Sequence, residues 1–409
     1  MCPLFIPAIL VPVMVLIFFS ELAPINKTTF ILYSPTGLSK ILIILSFWLF
    51  QFIILQNKIE IGRTFHFLNF ILLLTLWVCF STSRILVFYI SFEFTLVPTF
   101  FMIWYYGYQP EKLQACVYFI IYTVITSLPL LIFIITSHDS LSIFTNDLRN
   151  FKKEFVVAIL TIAFIVKTPI FLVHIWLPKA HVEAPVAGSI LLAGILLKLG
   201  SYGLFLFLPN ITVTKTLMVY LFIRMVGALI SSFICFRQSD IKALIAYSSV
   251  VHITIVTVGL VRQLKIGYSA ATIIVIAHGV CRPSIFALAS NLYRNSHTRL
   301  MVINKGNVST PLVILISIII IRANIGVPPS INLWSEVIAI TSLISLFVWR
   351  LILFIPIALL AVLYNLFLYI SLIHGKNIKR KNLLVLNQNF SIISRIFWCY
   401  FLTLGIFFF

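Results

Sequence analysis

Residues 155–178 read FVVAILTIAFIVKTPIFLVHIWLP. The apolar run carries a lysine, Lys167, is cut at once by Thr168-Pro169, and meets another proline at Leu177-Pro178. Proline removes a backbone donor and its ring clashes with the preceding turn, so a helix through this stretch breaks and frees carbonyls and amides. Lipid cannot satisfy those groups. A broken helix in a membrane persists only when it is packed inside protein or lines a watery cavity. The lysine sharpens the point, because a charge at the bilayer centre costs about 2.5–3.5 kcal/mol even on a lenient insertion scale, and its default role is in an ion or proton pathway.

The rest of the chain decides that the setting is a membrane. Of 409 residues, 61% are apolar and only 10% are charged, with a mean hydropathy of +1.13. Apolar windows of about 17–25 residues, enough to span a hydrocarbon core, recur from end to end. About thirteen spans are expected on that length criterion, at 2–20, 37–56, 65–80, 84–106, 112–137, 155–173, 183–208, 216–236, 241–261, 268–290, 308–347, 351–373 and 390–409. A polar stretch, 138–154, separates the early block from the rest. The segment 308–347 is too long for one straight crossing and holds Gly326-Val327-Pro328-Pro329 at its middle. One proline kink is common in membrane helices. Interruptions at Pro169 and Pro178 and again at Pro328 and Pro329, in corresponding halves, point to a transport site built from inverted repeats. The expected fold is therefore an all-α polytopic membrane protein, antiporter-like, with two discontinuous helices. Its divisions are amino-terminal helices 1–83, half-channel repeats 84–208 and 209–347, and carboxyl-terminal helices 348–409.

The formal charge of +19 would suggest nucleic acid in a soluble protein. Here the basic residues sit mostly in short turns, where they meet lipid phosphates or acidic neighbouring subunits, and no nucleic-acid partner is expected. They fall on no consistent side, so orientation is not set by the positive-inside rule. Cys2, Cys79, Cys116, Cys235, Cys281 and Cys399 are scattered singly, without the spacing of an iron–sulfur site or a disulfide framework. The polar gaps carry no nucleotide loop or metal-cluster signature. Residues 2–20 lack the basic flank and small-residue cleavage site of a signal peptide and read as a retained span.

Five further residues join Lys167. Glu93 has apolar neighbours for a turn or more on each side. If its span touches that of Lys167, making and breaking a carboxylate–ammonium pair in low dielectric changes how firmly the lysine holds a proton; a static pair joining two helices is the alternative. Lys198, in Leu196-Leu197-Lys198-Leu199-Gly200, is deep in its span, where snorkelling is a poorer explanation than a central station. His252 and His278 could pass protons near neutrality or simply bond neighbouring helices. Glu336 follows the second interruption and is a candidate exit carboxylate. Arg224 and Arg322 read as structural pairs or interface anchors, and Lys242 as the start of a span.

The run from Lys167-Thr168-Pro169 through His174-Ile175-Trp176-Leu177-Pro178-Lys179-Ala180-His181-Val182-Glu183-Ala184-Pro185, continued by Gly188-Ser189 and Leu196-Leu197-Lys198-Leu199-Gly200, resembles the chain 4 family of mitochondrial NADH:ubiquinone oxidoreductase, respiratory complex I. The segments Asp240–Val250, Ala277-His278-Gly279 and Pro328-Pro329-Ser330-Ile331-Asn332-Leu333 match in order, so roughly residues 85–345 are covered. The resemblance implies a proton-translocating, antiporter-like membrane-arm subunit in the mitochondrial inner membrane. In that family the glutamate matching Glu93 pairs with the lysine matching Lys167, the lysine matching Lys198 is the central station, and the histidines matching His252 and His278 lead toward the carboxylate matching Glu336. It also implies no cofactor in this chain, with flavin, iron–sulfur clusters, NADH and ubiquinone held elsewhere in the complex. Implied partners are neighbouring antiporter-like subunits and lipids including cardiolipin. The family carries four helices before the glutamate-bearing one and three are found here, so a form shortened at its amino end, as in nematode-like versions, is expected. A multisubunit cation/proton antiporter would share nearly every buried charge and is the alternative; a structural subunit with a silent relay is a second.

Overall fold

The computed structural model describes residues 37–56, 62–136, 154–210, 215–261, 263–306, 311–344 and 351–375, with isolated positions at 393, 394, 397 and 400. The expected span 2–20, nearly all of the span 390–409 and most of the polar stretch 138–154 lie outside the described residues. In chain order the helices are α1 Gly37–Gln56, α2 Arg63–Ser81, α3 Ile85–Phe94, α4 Leu96–Tyr106, α5 Lys112–Thr136, α6 Glu154–Lys167, α7 Trp176–Glu183, α8 Val186–Leu191, α9 Leu197–Phe207, α10 Lys215–Arg237, α11 Ile241–Val261, α12 Lys265–Ser296, α13 Pro311–Ile325, α14 Ile331–Ile344 and α15 Leu351–Ile373. Among the described residues, nine helical stretches are long and apolar enough to cross a membrane.

These helices divide by what they bury. Ile241–Val261 and Lys265–Arg294 are 94% buried within the protein, whereas Lys112–Thr136 is 22% and Ile352–Ile373 is 28% buried. So α11 and α12 form the axis of the bundle, and α5 and α15 turn most of their apolar surface outward, as helices facing lipid or a neighbouring subunit do. The histidines of interest, His252 and His278, lie on the two axial helices.

Both expected interruptions are present, and at each a side chain bonds a carbonyl that the break frees. At the first, α6 stops at Lys167 and helix resumes at Trp176. Three of its last four carbonyls find donors: Phe164 O from the Thr168 amide at 2.9 Å, Val166 O from Trp176 Nε1 at 3.3 Å, Ile165 O from Arg224 Nη2 at 3.1 Å. The same guanidinium reaches Thr168 O at 2.6 Å and the Thr168 hydroxyl. At the second, Gly326 takes a positive φ of +86° that only glycine adopts without strain. Asn332 Nδ2 at the start of α14 returns to Ala323 O of α13 at 2.7 Å. A helix end buried without partners would be untenable, and neither is.

Pro178 departs from its expected place. It sits in the first turn of α7, where a proline lacks only an amide that had no intrahelical partner; the chain bends instead at Ala184-Pro185, just before α8. Two further breaks are absent from the sequence-based spans. The stretch 84–106 splits into α3 and α4 at Thr95, because Pro98 has no amide to offer Phe94 O and its ring crowds that carbonyl. Between α8 and α9, Leu192–Leu196 forms a π turn. The span expected at 268–290 also proves longer, reaching Ser296 in α12.

Candidate proton-transfer site

Glu93 and Lys167 meet where two helices are interrupted. Glu93 lies one residue before the end of α3 and Lys167 is the last residue of α6. Lys167 Nζ stands 3.3 Å from Glu93 Oε1, donates to Phe92 O at 3.1 Å and caps the Phe92 ring 3.0 Å from its centroid. The lysine is 5% exposed and the glutamate 18%. A pair at this distance attracts by on the order of 4 kcal/mol at an effective dielectric of 20, while desolvating both charges opposes it by a comparable amount. A contact so nearly balanced can open and close.

Lys198 is held beside the first interruption by a close approach of helices. A Cβ at Gly200 would lie 2.7 Å from Thr168 Cγ2 and 3.0 Å from Phe164 O, so only glycine lets α9 sit against the end of α6. The π turn then supplies Lys198 with a partner: its Nζ donates to Ala193 O, a carbonyl within the widened segment. Segments of this kind concentrate at functional sites because they release backbone groups from the helical ladder. The same Nζ is 2.6 Å from His278 Nδ1 on α12. The line continues to His252 on α11, whose ring centroid is 6.3 Å from that of His278. His252 Nδ1 is in turn 3.8 Å from Glu336 Oε1 on α14.

Glu336 points back to the second interruption: a Cβ added at Gly326 would lie 3.5 Å from Glu336 Oε2. Thus Lys198, His278, His252 and Glu336 form one contiguous polar line. Glu93 and Lys167 form a separate pair, joined to that line through the α6–α9 contact. Pro169 and Pro328-Pro329 lie in the interruptions flanking the two ends. His252 Nε2 and His278 Nε2 are buried with no hydrogen-bond partner among the described residues, so each ring keeps a second nitrogen for a bridging water or an incoming proton.

Several buried charges escaped the sequence reading. Arg282 is 0% exposed and bonds the Ser248 hydroxyl and Ser248 O, the latter at 3.1 Å. Its four-residue spacing from His278 puts both on one face of α12, which is the signal that could have found it. Arg224, taken as a pair or an anchor, instead closes α6 as described. Arg322 is exposed on α13, and Lys242 is buried at the start of α11 with Nζ 3.0 Å from Ala184 O. Among the described residues neither Arg224 nor Arg282 has a carboxylate at ion-pair distance. Arg282 is one of the largest fully buried side chains, so a small replacement leaves a cavity and strips Ser248 of its donor. Arg282→Ser is therefore expected to lower the amount of assembled complex severalfold, checked by native-gel assembly and NADH oxidation; undiminished assembly would refute it.

No group of three or more metal-ligating side chains occurs among the described residues, and the described cysteines, Cys79, Cys116, Cys235 and Cys281, are all buried.

Residues 82–363 match the family profile described as NADH:quinone oxidoreductase/Mrp antiporter, transmembrane. The chain is 39% identical over 350 residues to NADH-ubiquinone oxidoreductase chain 4 of Ceratitis capitata, covering 82% of this chain and 78% of that one. To the protein of the same name from Lumbricus terrestris it is 41% identical over 318 residues, covering 75% and 70%. Its fold is similar to a chain of respiratory complex I from Thermus thermophilus with bound NADH, at a TM-score of 0.85, 22% identity, and 98% and 90% coverage. It is similar also to a chain of the Mrp complex from Dietzia sp. DQ12-45-1b, at a TM-score of 0.82, 17% identity, and 98% and 47% coverage.

Proposed function

The chain belongs to the NADH:quinone oxidoreductase/Mrp antiporter family, among its NADH-ubiquinone oxidoreductase chain 4 members, and from that premise we propose that the residues from Glu93 to Glu336 are its proton route. The protein is an antiporter-like membrane-arm subunit of respiratory complex I, multi-pass in the mitochondrial inner membrane, which couples electron transfer in other subunits to proton translocation.

The observation that carries the route is the succession of neighbouring groups on four different elements: Lys198 at hydrogen-bond distance from His278, His278 facing His252, and His252 beside Glu336. In operation, Lys198 holds the central proton. When the Glu93–Lys167 pair is closed, the Lys167 charge is neutralised locally; when it opens, that charge acts on the adjoining Lys198, and the proton steps to His278. His278 and His252 relay it, and Glu336 receives it beside the Gly326 turn. Residues 84–208 contribute the pair and the central lysine, and 209–347 the histidines and the terminal carboxylate, which is how we divide the two half-channels. Neighbouring antiporter-like subunits cover the outward-facing α5 and α15, and the basic helix ends at Arg63, Lys112, Arg237 and Lys265 bind acidic headgroups such as cardiolipin. The shortened, nematode-like form belongs to the same proposal.

A stand-alone cation/proton antiporter shares this fold. Isolation of the native assembly through a tag on this chain separates the two: flavin and iron–sulfur clusters are expected to co-elute in fixed ratio, with NADH-driven proton uptake in proteoliposomes. An assembly without those groups that exchanges sodium for protons would overturn the complex I reading.

A further inference from the structure

A second buried polar cluster lies where the end of α7, the start of α11 and the loop after α12 converge. Arg299 Nη1 bonds Glu183 Oε1 at 3.1 Å and Gln109 Oε1 at 3.3 Å. Gln109 is on the exposed turn between α4 and α5, whereas Glu183 and Arg299 are only 4% and 6% exposed. Lys242 Nζ caps the carbonyl of Ala184, the residue after Glu183. Two residues before Glu183, on the same short helix, His181 is 1% exposed and stacks on Phe286 with centroids 4.8 Å apart. That histidine is within electrostatic reach of both Lys242 and the central Lys198.

An ion pair that only fastened loops would saturate its atoms. Here Glu183 Oε2, Arg299 Nη2 and both ring nitrogens of His181 are buried without a hydrogen-bond partner among the described residues. Each such atom left dry is destabilising, and polar atoms grouped this closely are the setting in which buried waters bind. From exposed Gln109 through Arg299 to Glu183, and on through Lys242, whose charge acts on Glu183 and on His181 alike, the cluster leads from the surface toward Lys198 by groups that the route described above does not use.

We infer that Glu183 and His181 are a proton-access branch that recharges Lys198 from this end of the bundle, with Arg299 and Lys242 positioning the carboxylate. The inference rests on Lys198 being the central station. In one cycle a proton from the aqueous phase binds the Glu183 carboxylate and passes, through water, to one ring nitrogen of His181. The opposite nitrogen gives its own proton to the neutral amine of Lys198. No electron moves; the carboxylate returns to its starting form, and the imidazole, left as the opposite tautomer, is reset by a flip of its ring before the next proton.

The test compares assembled complexes in proteoliposomes carrying His181→Phe, Glu183→Ala or Lys198→Met. His181→Phe keeps the stack on Phe286 and leaves the Glu183–Arg299 pair untouched, so it decides the matter even where Glu183→Ala assembles poorly. Proton uptake per NADH oxidised is expected to fall about fivefold or more in His181→Phe and Glu183→Ala. Added formate, a small proton carrier, is expected to restore uptake in Glu183→Ala. Normal uptake in assembled His181→Phe beside impaired Lys198→Met would overturn the branch and leave the main route standing. Loss in Glu183→Ala that formate does not relieve would assign Glu183 to the structure alone and also overturn it. Normal uptake in Lys198→Met would remove the route on which the branch depends.

Discussion

Lys198→Met is expected to lower proton uptake by the assembled complex on the order of tenfold or more, the range that general acid–base groups contribute, while assembly is largely retained. Methionine keeps much of the side-chain volume, so the contact of α9 with the end of α6 survives. What it removes is the protonatable atom at the junction of Ala193 O and His278 Nδ1. Both acceptors then lose a donor, at about 1–3 kcal/mol apiece where water does not replace it, and that is small beside the contacts of a fully packed span. The measurement is the proton-to-electron ratio in proteoliposomes, normalised to complex content. An unchanged ratio would show that protons bypass Lys198.

Glu93→Gln is expected to impair coupled turnover by a different mechanism, and about as severely. The isosteric amide leaves the packing at Thr95 alone but strips the ammonium of Lys167 of its counter-charge at 3.3 Å. Removing one partner of a buried pair typically costs about 3–5 kcal/mol, because the other charge stays in place unpaired. The surrounding groups, Phe92 O and the Phe92 ring, can only partly compensate. Glu93→Asp is expected to retain part of the activity, since the bend at Thr95 lets α3 shift toward Lys167. Rotenone-sensitive NADH oxidation and proton uptake, recorded together on matched samples, decide the matter. Equal coupled activity in Glu93→Gln and the parent chain would show that the pair does not gate transfer.

Much of this was legible in the sequence, for reasons that can be named. Apolar windows fix spans because lipid imposes a length, and Pro169 and Pro328-Pro329 fix interruptions because a missing amide cannot be hidden. Charges such as Lys198 and Glu336 stand out against apolar neighbours. What stayed hidden depends on tertiary contact. The bend at Thr95 lies in an uninterrupted apolar run, and Pro98 there reads as one more kink. Pro178 looks like a break until its position in the first turn of α7 is known. The approach of Lys198 to His278 links residues 80 apart, and nothing local announces it. Arg282 was missed although it lies well inside the expected span 268–290, because its role rests on contact with Ser248 of another helix.

The π turn at Leu192–Leu196 has a consequence for how this span tolerates change in length. Such a turn accommodates one residue more than the regular helix around it, and each residue of an α-helix advances the azimuth by about 100°. The turn takes up that surplus step locally, so Val186 and Lys198 keep the directions of a regular helix one residue shorter. A single-residue deletion between them would restore that regular helix without turning the lysine from His278, yet would return Ala193 O to the helical ladder and take away the acceptor of the central ammonium. The surplus residue is thus what frees a carbonyl for Lys198, and Gly194, where a Cβ would meet Leu49, lets the widened segment lie against α1.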